Sequence, residues 1–299
     1  MRLKERVKYL LAGDSLHPKS FLSQNFLIDH NLVTRVVEEF RPSLTDRVVE
    51  IGAGTGILTE ALAHRTGQLW ALEIDGDLCR ILERQTQAFA GVKVIQSDAL
   101  TFDFAAFCPR EMCTKIIGNL PYHVALAIIL RLAVQPWWHM MLFTVQREQA
   151  QRFIAEPGSK MRGANTVVLS YHARMERIID LPPQAFYPMP RVSSSVVRFV
   201  PRQGPRAVNY RLFRRIVRAG FDMRRKTLVN SLSRGLALPR IRVQQVLASS
   251  GIEVRRRAEE LDVLDFIRLT KALSDSSEVS GETALISPEI RPEGSNGKR

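Results

Sequence analysis

The chain has 299 residues, more than one average domain, and its 45% hydrophobic and 24% charged residues exclude a wholly disordered protein. Its formal net charge is +13, and residues 201–271 alone hold 17 basic against 6 acidic side chains. An excess of this size favours a polyanionic partner, because each neutralised phosphate releases counterions. We therefore expect nucleic acid, rather than an acidic membrane, to bind this part of the chain.

From residue 47 onward, short apolar runs alternate with segments that have the apolar spacing of helices. Strands are predicted at residues 48–51, 69–73, 92–95, 115–118 and 140–145, and helices at residues 57–64, 78–85 and 124–132. Alternation of this kind predicts a mostly parallel, doubly wound α/β sheet. Two further runs, Thr166–Tyr171 and Val196–Val200, are expected to add antiparallel strands at the far edge of the sheet.

The composition changes near residues 203–209, where the last sheet-like segment gives way to an arginine-rich helical periodicity. From residue 274 the chain is rich in Ser, Glu, Pro and Gly, which is typical of disorder. We predict an N-terminal extension (1–17), an α/β domain (18–205), a small basic helical domain (206–272) and a disordered tail (273–299).

The sequence contains no run of about 18 uncharged apolar residues, and its basic start lacks the apolar run and cleavage site of a secretory signal. Its three cysteines and six histidines form no metal-ligand spacing. We therefore expect a cytoplasmic protein with buried thiols, no membrane partner and no bound metal. We also expect a monomer.

A glycine-rich segment, Glu50–Gly56, follows the first predicted strand and opens the first predicted helix. Gly52 and Gly54 permit positive φ and a close approach of the backbone to a ligand, although a plain tight turn is the alternative. Glu73 ends the next strand about 20 residues on, where a carboxylate can bind both hydroxyls of a ribose. Asp98 ends the third strand and offers an acceptor to an adenine amine, or else caps a helix. The spacing is GxGxG rather than GxGxxG, and these features alone suit either NAD or an adenosine cofactor.

The tetrapeptide Asn119-Leu120-Pro121-Tyr122 follows the fourth predicted strand, at the edge where doubly wound sheets bind ligands. An adenine amine is a poor nucleophile, because its lone pair is delocalised into the ring. The Asn119 side-chain oxygen and a nearby backbone carbonyl can accept its N–H groups and hold the nitrogen closer to tetrahedral, facing an electrophilic methyl group. Pro121 stiffens the turn, and Tyr122 offers a ring face on which a base can stack. A plain turn with a packed tyrosine is the alternative.

In their order and spacing, these motifs resemble those of the rRNA adenine N6,N6-dimethyltransferase family. The resemblance covers roughly residues 18–271. The matching segments are Ser23-Gln24-Asn25-Phe26-Leu27, Glu50–Gly56, Glu73, Asp98, Asn119–Tyr122, Glu156–Lys160 and Phe186–Val192. Two later segments, Arg224–Leu228 and Asn230–Leu232, resemble the small-subunit (16S-type) branch of the family rather than the 23S resistance methylases.

The resemblance implies a Rossmann-like, class I S-adenosylmethionine-dependent methyltransferase sheet with a small all-α C-terminal domain. Asn25 and Leu27 would contact S-adenosylmethionine from the N-terminal segment, and Gly52 would face its methionine half. Glu73 would bind the ribose, and Asp98 the adenine amine; the product would be S-adenosylhomocysteine. The cofactor-binding set implied in this way is Asn25, Leu27, Glu50, Gly52, Gly54, Glu73, Ile74, Asp98, Ala99 and Asn119.

On the substrate side, the resemblance implies that Asn119 meets the amine of the target base, while Tyr122 and Phe186 sandwich the flipped adenine. The catalytic set is then Asn119, Leu120, Pro121, Tyr122 and Phe186. A basic cluster in the C-terminal domain would bind RNA and consists of Arg224, Arg225 and Lys226. Ser23 stands where the family usually has glycine, and residues 161–165 also depart from its pattern.

The implied reaction is the transfer of two methyl groups to N6 of adenine, at two neighbouring adenines of 16S rRNA in a small ribosomal subunit or its precursor. A 23S rRNA or DNA adenine N6-methyltransferase is the alternative among methyltransferases. An RNA-binding or ribosome-assembly factor that keeps the pocket without turnover is the alternative from another class. An NAD-dependent oxidoreductase fits Glu73 but gives no role to the tetrapeptide or to the basic domain.

Overall fold

The computed structural model of the protein describes residues 1–19, 24–108, 113–207 and 209–275. The chain divides into two compact units, one of residues Met1–Gly204 and one that starts at Pro205. The predictions made for Ser23 and for the tail after Asp275 lie outside the described residues. Within the described ranges, no helix has the length and apolar character needed to cross a membrane.

The first unit alternates strands and helices. In chain order these are α1 (Leu3–Gly13), β1 (Phe26–Leu27), α2 (His30–Phe40), β2 (Arg47–Ile51), α3 (Ile57–Ala63), β3 (Gln68–Glu73), α4 (Gly76–Thr86), β4 (Val92–Gln96), α5 (Phe104–Phe107), β5 (Thr114–Asn119), α6 (Ala125–Ala133), β6 (Trp138–Gln146), α7 (Arg147–Phe153), α8 (Ala164–His172), β7 (Ala173–Leu181), β8 (Phe186–Tyr187) and β9 (Ser194–Pro201). The strands and helices predicted between residues 48 and 145 are confirmed, and each end lies within two residues of the predicted one.

One seven-stranded sheet dominates this unit, with the strand order β4-β3-β2-β5-β6-β9-β7. The first five strands are parallel, and β9 and β7 continue the sheet in antiparallel pairing. The order reverses between β2 and β5, and doubly wound sheets bind ligands beyond the carboxyl ends of the strands at such a point. Ile51 of β2 pairs with Gly118 of β5, so the segments that follow these strands start side by side. The predicted doubly wound, mostly parallel sheet is confirmed.

The prediction of a strand at Thr166–Tyr171 is wrong, because these residues belong to helix α8. A short apolar run suits a buried helix as well as a strand, and here local capping favours the helix. The backbone N–H of Gly163 donates to the Thr166 hydroxyl at 3.2 Å, which satisfies a donor where the helix begins. The antiparallel edge strand is the next segment, β7. The strand predicted at Val196–Val200 is confirmed as part of β9.

Helix α1 packs against the first unit through its apolar side. Val7 and Leu11 are buried in a cluster with Phe26, Leu78 and Ile81. This cluster joins the N-terminal helix to the short strand β1 and to helix α4, which follows β3. The helix therefore contributes to the core beside the carboxyl edge of the sheet.

The second unit is helical, as predicted. It contains α9 (Tyr210–Asp222), α10 (Leu228–Leu236), α11 (Arg240–Ser249) and α12 (Val263–Asp275). Helix α9 buries an apolar face, and Phe221 at its end stacks on Phe266 of α12 with ring centres 6.2 Å apart. The opposite face of α9 exposes four arginines at helical spacing, namely Arg211, Arg214, Arg215 and Arg218. The arginine-rich periodicity seen in the sequence is therefore one exposed helix face.

Candidate active site

A cavity of about 310 Å³ lies at the carboxyl edge of the sheet, where the strand order reverses. This volume lies within the range of small-molecule sites. The predicted site residues that line the cavity are Asn25, Leu27, Glu50, Gly52, Gly54, Glu73, Ile74, Asp98, Ala99, Asn119, Leu120, Pro121 and Tyr122. Of the site residues predicted in the first unit, Phe186 does not line the cavity. The fold thus brings together predicted site residues as far apart in the sequence as Asn25 and Tyr122.

The glycine loop after β2 adopts conformations that favour glycine. Gly52 and Gly54 have φ of +74° and +59°, in the left-handed region that L side chains rarely adopt. A Cβ atom at Gly54 would lie 3.0 Å from the Phe26 ring, which is tighter than side chains normally tolerate. One at Gly52 would lie 3.4 Å from the Asn119 carbonyl oxygen. The absence of side chains therefore lets the loop pass between the N-terminal segment and the segment after β5.

Glu73, at the end of β3, is held by three backbone donors. Its Oε2 accepts the Gly54 N–H at 2.8 Å, and its Oε1 accepts the N–H groups of Ile74 and Asp75 at 2.9 and 3.0 Å. Burial raises the pKa of Glu73, and these three hydrogen bonds oppose the rise. The carboxylate is thereby fixed against the glycine loop with lone pairs left to accept the hydroxyls of a ribose.

Glu50, in β2, is buried deeper in the same cavity. Its Oε2 has no hydrogen-bond partner among the residues that the structure describes. Burial raises the pKa of Glu50 to about 8, and the negative charge of Glu73 adds to the rise. A buried carboxyl oxygen without a partner is costly unless a ligand satisfies it. Glu50 therefore points to a ligand that carries a donor or a positive charge.

Three carboxyl side chains line the cavity, namely Glu50, Glu73 and Asp98. Neither lysine nor arginine is found among its described lining residues. The pyrophosphate of NAD would bring two negative charges next to these carboxylates, whereas S-adenosylmethionine brings a sulfonium and an ammonium group. The residues present therefore fit S-adenosylmethionine and disfavour NAD. The spacing of the glycine loop alone did not distinguish these two cofactors.

Asp98, after β4, does not cap a helix, because the next helix, α5, begins at Phe104 and is capped by Asp103. Its contact with an adenine amine stays a prediction. Its Oδ1 accepts the Leu100 N–H at 2.8 Å, and its carbonyl oxygen accepts the N–H groups of Thr101 and Phe102. Asp98 thus closes a tight turn and lines the cavity at the same time. The turn fixes the Asp98 carboxylate just beyond the end of β4.

Asn119, the last residue of β5, is oriented by the N-terminal segment. Its Nδ2 donates a hydrogen bond to the Asn25 carbonyl oxygen at 2.6 Å. Since the amide nitrogen is engaged there, the amide oxygen faces the other way and is free to serve as an acceptor. The Pro121 carbonyl oxygen accepts the N–H groups of Val124 and Ala125 at 3.1 and 3.0 Å, which fixes the turn into α6.

Tyr122 lies within this turn, and its hydroxyl contacts the first residue of β9. The Tyr122 hydroxyl and the Ser194 hydroxyl lie 2.6 Å apart. Burial raises the pKa of Tyr122, so the phenol stays neutral and keeps its proton for hydrogen bonding. The ring is partly exposed and lines the cavity.

The family model described as Ribosomal RNA adenine dimethylase matches residues 16–275 of this chain. The protein belongs to the ribosomal RNA adenine dimethylase family. Its relatives include a protein named Ribosomal RNA small subunit methyltransferase A from Desulfitobacterium hafniense, 36% identical over 266 residues, which are 88% of this chain and 95% of that protein. The protein of the same name from Geobacillus kaustophilus is 36% identical over 279 residues, 90% of this chain and 95% of the relative.

Solved structures share the fold. A dimethyladenosine transferase from Plasmodium falciparum superposes with a TM-score of 0.73 at 19% identity, over 83% of this chain and 96% of that one. The 23S rRNA methyltransferase ErmE superposes with a TM-score of 0.67 at 24% identity, over 83% of this chain and 99% of that one. Together with the family match, these findings confirm the predicted family, the Rossmann-like methyltransferase fold, the methyltransferase class and the S-adenosylmethionine cofactor.

Two residues that hold the N-terminal segment of this family member were missed by the sequence analysis. Lys19 Nζ lies 2.7 Å from Asp75 Oδ1, and Gln24 Nε2 donates to Asp75 Oδ2 at 2.8 Å. Although burial opposes the shift, the hydrogen bonds from Lys19 and Gln24 lower the pKa of Asp75. Asp75 also donates its N–H to Glu73, so Gln24, which precedes Asn25, is linked through Asp75 to the Glu73 carboxylate. The adjacency of Asp75 to Glu73 was the signal available in the sequence.

Phe186 lies outside the cavity in the described conformation. It is 2% exposed and packs in an apolar cluster with residues such as Val36 and Leu142. In strand β8 it pairs with Leu27 of β1, and Leu27 does line the cavity. The predicted role of Phe186 at the target base therefore stays a prediction.

The predicted RNA-binding cluster lies in the second unit, in the turn between α9 and α10. Arg224, Arg225 and Lys226 are all exposed. Arg224 Nη2 is 3.5 Å from Glu259 Oε2, so part of its charge is already balanced. The predicted contact of this cluster with RNA stays a prediction.

Proposed function

We propose that this protein transfers methyl groups from S-adenosylmethionine to N6 of adenine in 16S rRNA, two to each of two neighbouring adenines. The observation that carries the proposal is the position of Asn119, whose amide is oriented by the Asn25 carbonyl at the rim of an acidic cavity. Family membership supports the reaction, and the relatives named small subunit methyltransferase support the small-subunit target.

The chain's own groups act on the adenine amine. The cofactor supplies an electrophilic methyl group when it is bound. Asn119 Oδ1 and the Leu120 carbonyl oxygen accept the two N–H groups, which draws the nitrogen out of conjugation and directs its lone pair toward the methyl carbon. Once methylated, the nitrogen is acidic enough to lose a proton to water, so no side-chain base is needed. A second turnover at the same nitrogen gives the dimethylated base.

Tyr122 supplies the ring face against which the target adenine stacks after it leaves the RNA helix. We propose that Phe186 stacks on the other face of the adenine. To reach the base, Phe186 must leave its apolar cluster. The cluster Arg224, Arg225 and Lys226 binds the RNA backbone. We propose that the partner is a small ribosomal subunit or its precursor, and that the protein works as a monomer in the cytoplasm.

The test is a methylation assay with labelled S-adenosylmethionine and three substrates: unmodified small-subunit particles, large-subunit particles and duplex DNA. We expect label in the small-subunit rRNA alone, recovered as N6,N6-dimethyladenosine after digestion. Label found only in large-subunit particles or DNA contradicts the small-subunit target. Binding to the particle without transfer of label supports an assembly factor instead.

A further inference from the structure

Strand β9 brings residues from the far part of the chain to the active-site edge. Because β9 is antiparallel to β6, its first residues lie where the parallel strands end. Ser194 opens β9 and pairs with Gln146, the last residue of β6. On its other side it pairs with Leu181, which ends β7. Ser194 is therefore held on both sides by the sheet at the edge that carries the cavity.

The Ser194 side chain is fully buried, and its hydroxyl lies 2.6 Å from the Tyr122 hydroxyl. Tyr122 is 72 residues away in the chain and stands on the turn that Pro121 begins. The tyrosine ring is thus fixed at both ends, by the backbone turn at Cα and by the sheet at the hydroxyl. A hydroxyl held in this way stops the side chain from swinging about its Cα–Cβ bond, a movement that would carry the ring away from a base.

We infer that Ser194 is a positioning residue for the target adenine, because its hydroxyl holds the ring of Tyr122 at the place where it stacks on the base. This inference rests on the proposed function, in which Tyr122 is the stacking residue. Ser194 acts through Tyr122 and touches neither cofactor nor base. The phenol stays neutral, so the bond persists across the neutral pH range.

Stacking depends on where the ring is held, since a base gains its contact only when the two rings overlap at an offset. A tyrosine side chain that swings freely must be ordered in each catalytic event, which lowers the fraction of bound substrate in a reactive geometry. The bond between Ser194 and Tyr122 provides this order before the base arrives. Its loss should slow the chemical step while leaving the cofactor pocket intact.

The neighbouring residue provides a matched control. Ser195 is also fully buried in β9, and its hydroxyl donates to Asp180 Oδ1 at 2.6 Å. Successive strand residues point to opposite faces, so Ser195 is directed away from Tyr122. Ser195→Ala therefore removes a buried hydroxyl from the same strand without touching the proposed contact.

The experiment compares full-length wild-type protein, Ser194→Ala, Ser195→Ala, Tyr122→Phe and the double variant Ser194→Ala/Tyr122→Phe. The measurement is the single-turnover rate of methylation with saturating S-adenosylmethionine and unmodified small-subunit particles. We expect Ser194→Ala and Tyr122→Phe each to be about three- to tenfold slower, the range for one lost hydrogen bond. Cofactor affinity should match wild type, and Ser195→Ala should keep the wild-type rate.

The double variant decides between positioning and a general packing effect. If Ser194 acts through the Tyr122 hydroxyl, Ser194→Ala should cause no further loss in the Tyr122→Phe background. Equal losses in both backgrounds would overturn the inference, as would a wild-type rate for Ser194→Ala or an equal loss for Ser195→Ala. A wild-type protein that leaves small-subunit particles unmethylated would instead refute the proposed function, so the two failures are distinguishable.

Discussion

The side-chain amide of Asn119 donates to the backbone carbonyl of Asn25 across 2.6 Å, although 94 residues separate the two in the chain. Asn25 follows Gln24, which is bonded to Asp75 at 2.8 Å, and Asp75 in turn donates its N–H to Glu73. The residue proposed to act on the base is therefore oriented by Asn25, whose neighbour Gln24 is linked through Asp75 to the Glu73 carboxylate. Correct orientation of Asn119 thus depends on an ordered cofactor pocket.

Replacement of Glu73 by alanine should weaken the binding of S-adenosylmethionine. A hydrogen bond to a charged acceptor contributes about 1.5–3 kcal/mol, so we expect an increase in Kd of about 10- to 150-fold. The measurement is isothermal titration calorimetry of the full-length protein. Glu83→Ala removes an exposed glutamate from α4 and serves as the control. Unchanged affinity in Glu73→Ala would show that Glu73 does not bind the cofactor.

The raised pKa of Glu50 predicts a particular dependence of stability on pH. Folding raises this pKa from an ordinary value of 4.5 to about 8, so between these values the folded chain holds a proton that the unfolded chain releases. The contribution of Glu50 to the free energy of unfolding is therefore complete at low pH and is lost as the pH rises through about 8. Glu50→Gln cannot lose a proton and should lack this decline.

The measurement is urea unfolding of the ligand-free protein at several values between about pH 5 and pH 8. We expect the difference in unfolding free energy, Glu50→Gln minus wild type, to increase steadily with pH. Glu38→Gln, which alters an exposed glutamate on α2, should give a constant difference. A constant difference for Glu50→Gln as well would mean that Glu50 is charged in the folded protein throughout this range.

Removal of charge from Arg224, Arg225 and Lys226 should weaken the binding of rRNA and flatten its dependence on salt. Each lost phosphate contact reduces the slope of log K against log salt by about 0.7–0.9. The measurement is a titration of the triple glutamine variant with unmodified small-subunit particles at several salt concentrations. Cofactor affinity should be unchanged.

The matched control for this cluster removes three exposed basic residues from the first unit, namely Arg35, Arg65 and Lys93. This control variant has the same change in net charge as the Arg224 cluster variant. It therefore distinguishes a local contact with RNA from an effect of the protein's total charge. The control should keep a slope close to that of wild type. A triple variant of the Arg224 cluster that also keeps the wild-type slope would show that this cluster does not contact phosphate.

The parallel strands could be predicted from the sequence, because a buried parallel strand is a short apolar run and here each run ends in glycine or in polar residues. The strand predicted at Thr166–Tyr171 is wrong, because an apolar run of six residues does not distinguish a strand from a buried helix. Its helix depends on the contact between Gly163 and Thr166, which apolar spacing does not encode.

Within the site, the residues found from the sequence are those at strand ends, such as Glu73 and Asn119, because parallel strands place their carboxyl ends at one edge. Contacts between distant elements could not be found in this way. Ser194 reaches Tyr122 only because β9 is antiparallel and starts at the active-site edge. Lys19 contacts Asp75 across 56 positions of the chain, a separation that no local pattern reports.

The central claim is that Asn119 acts on the adenine amine during methyl transfer, and single-turnover methylation of unmodified small-subunit particles by Asn119→Ala tests it most directly. Loss of a preorganised hydrogen-bond partner of a transition state costs about 10²–10³ in rate, and we expect a reduction of that size at saturating cofactor and particle. Cofactor affinity, measured in parallel by calorimetry, should change much less, because Glu73 and Asp98 are intact. A wild-type rate of methylation by Asn119→Ala would contradict the account.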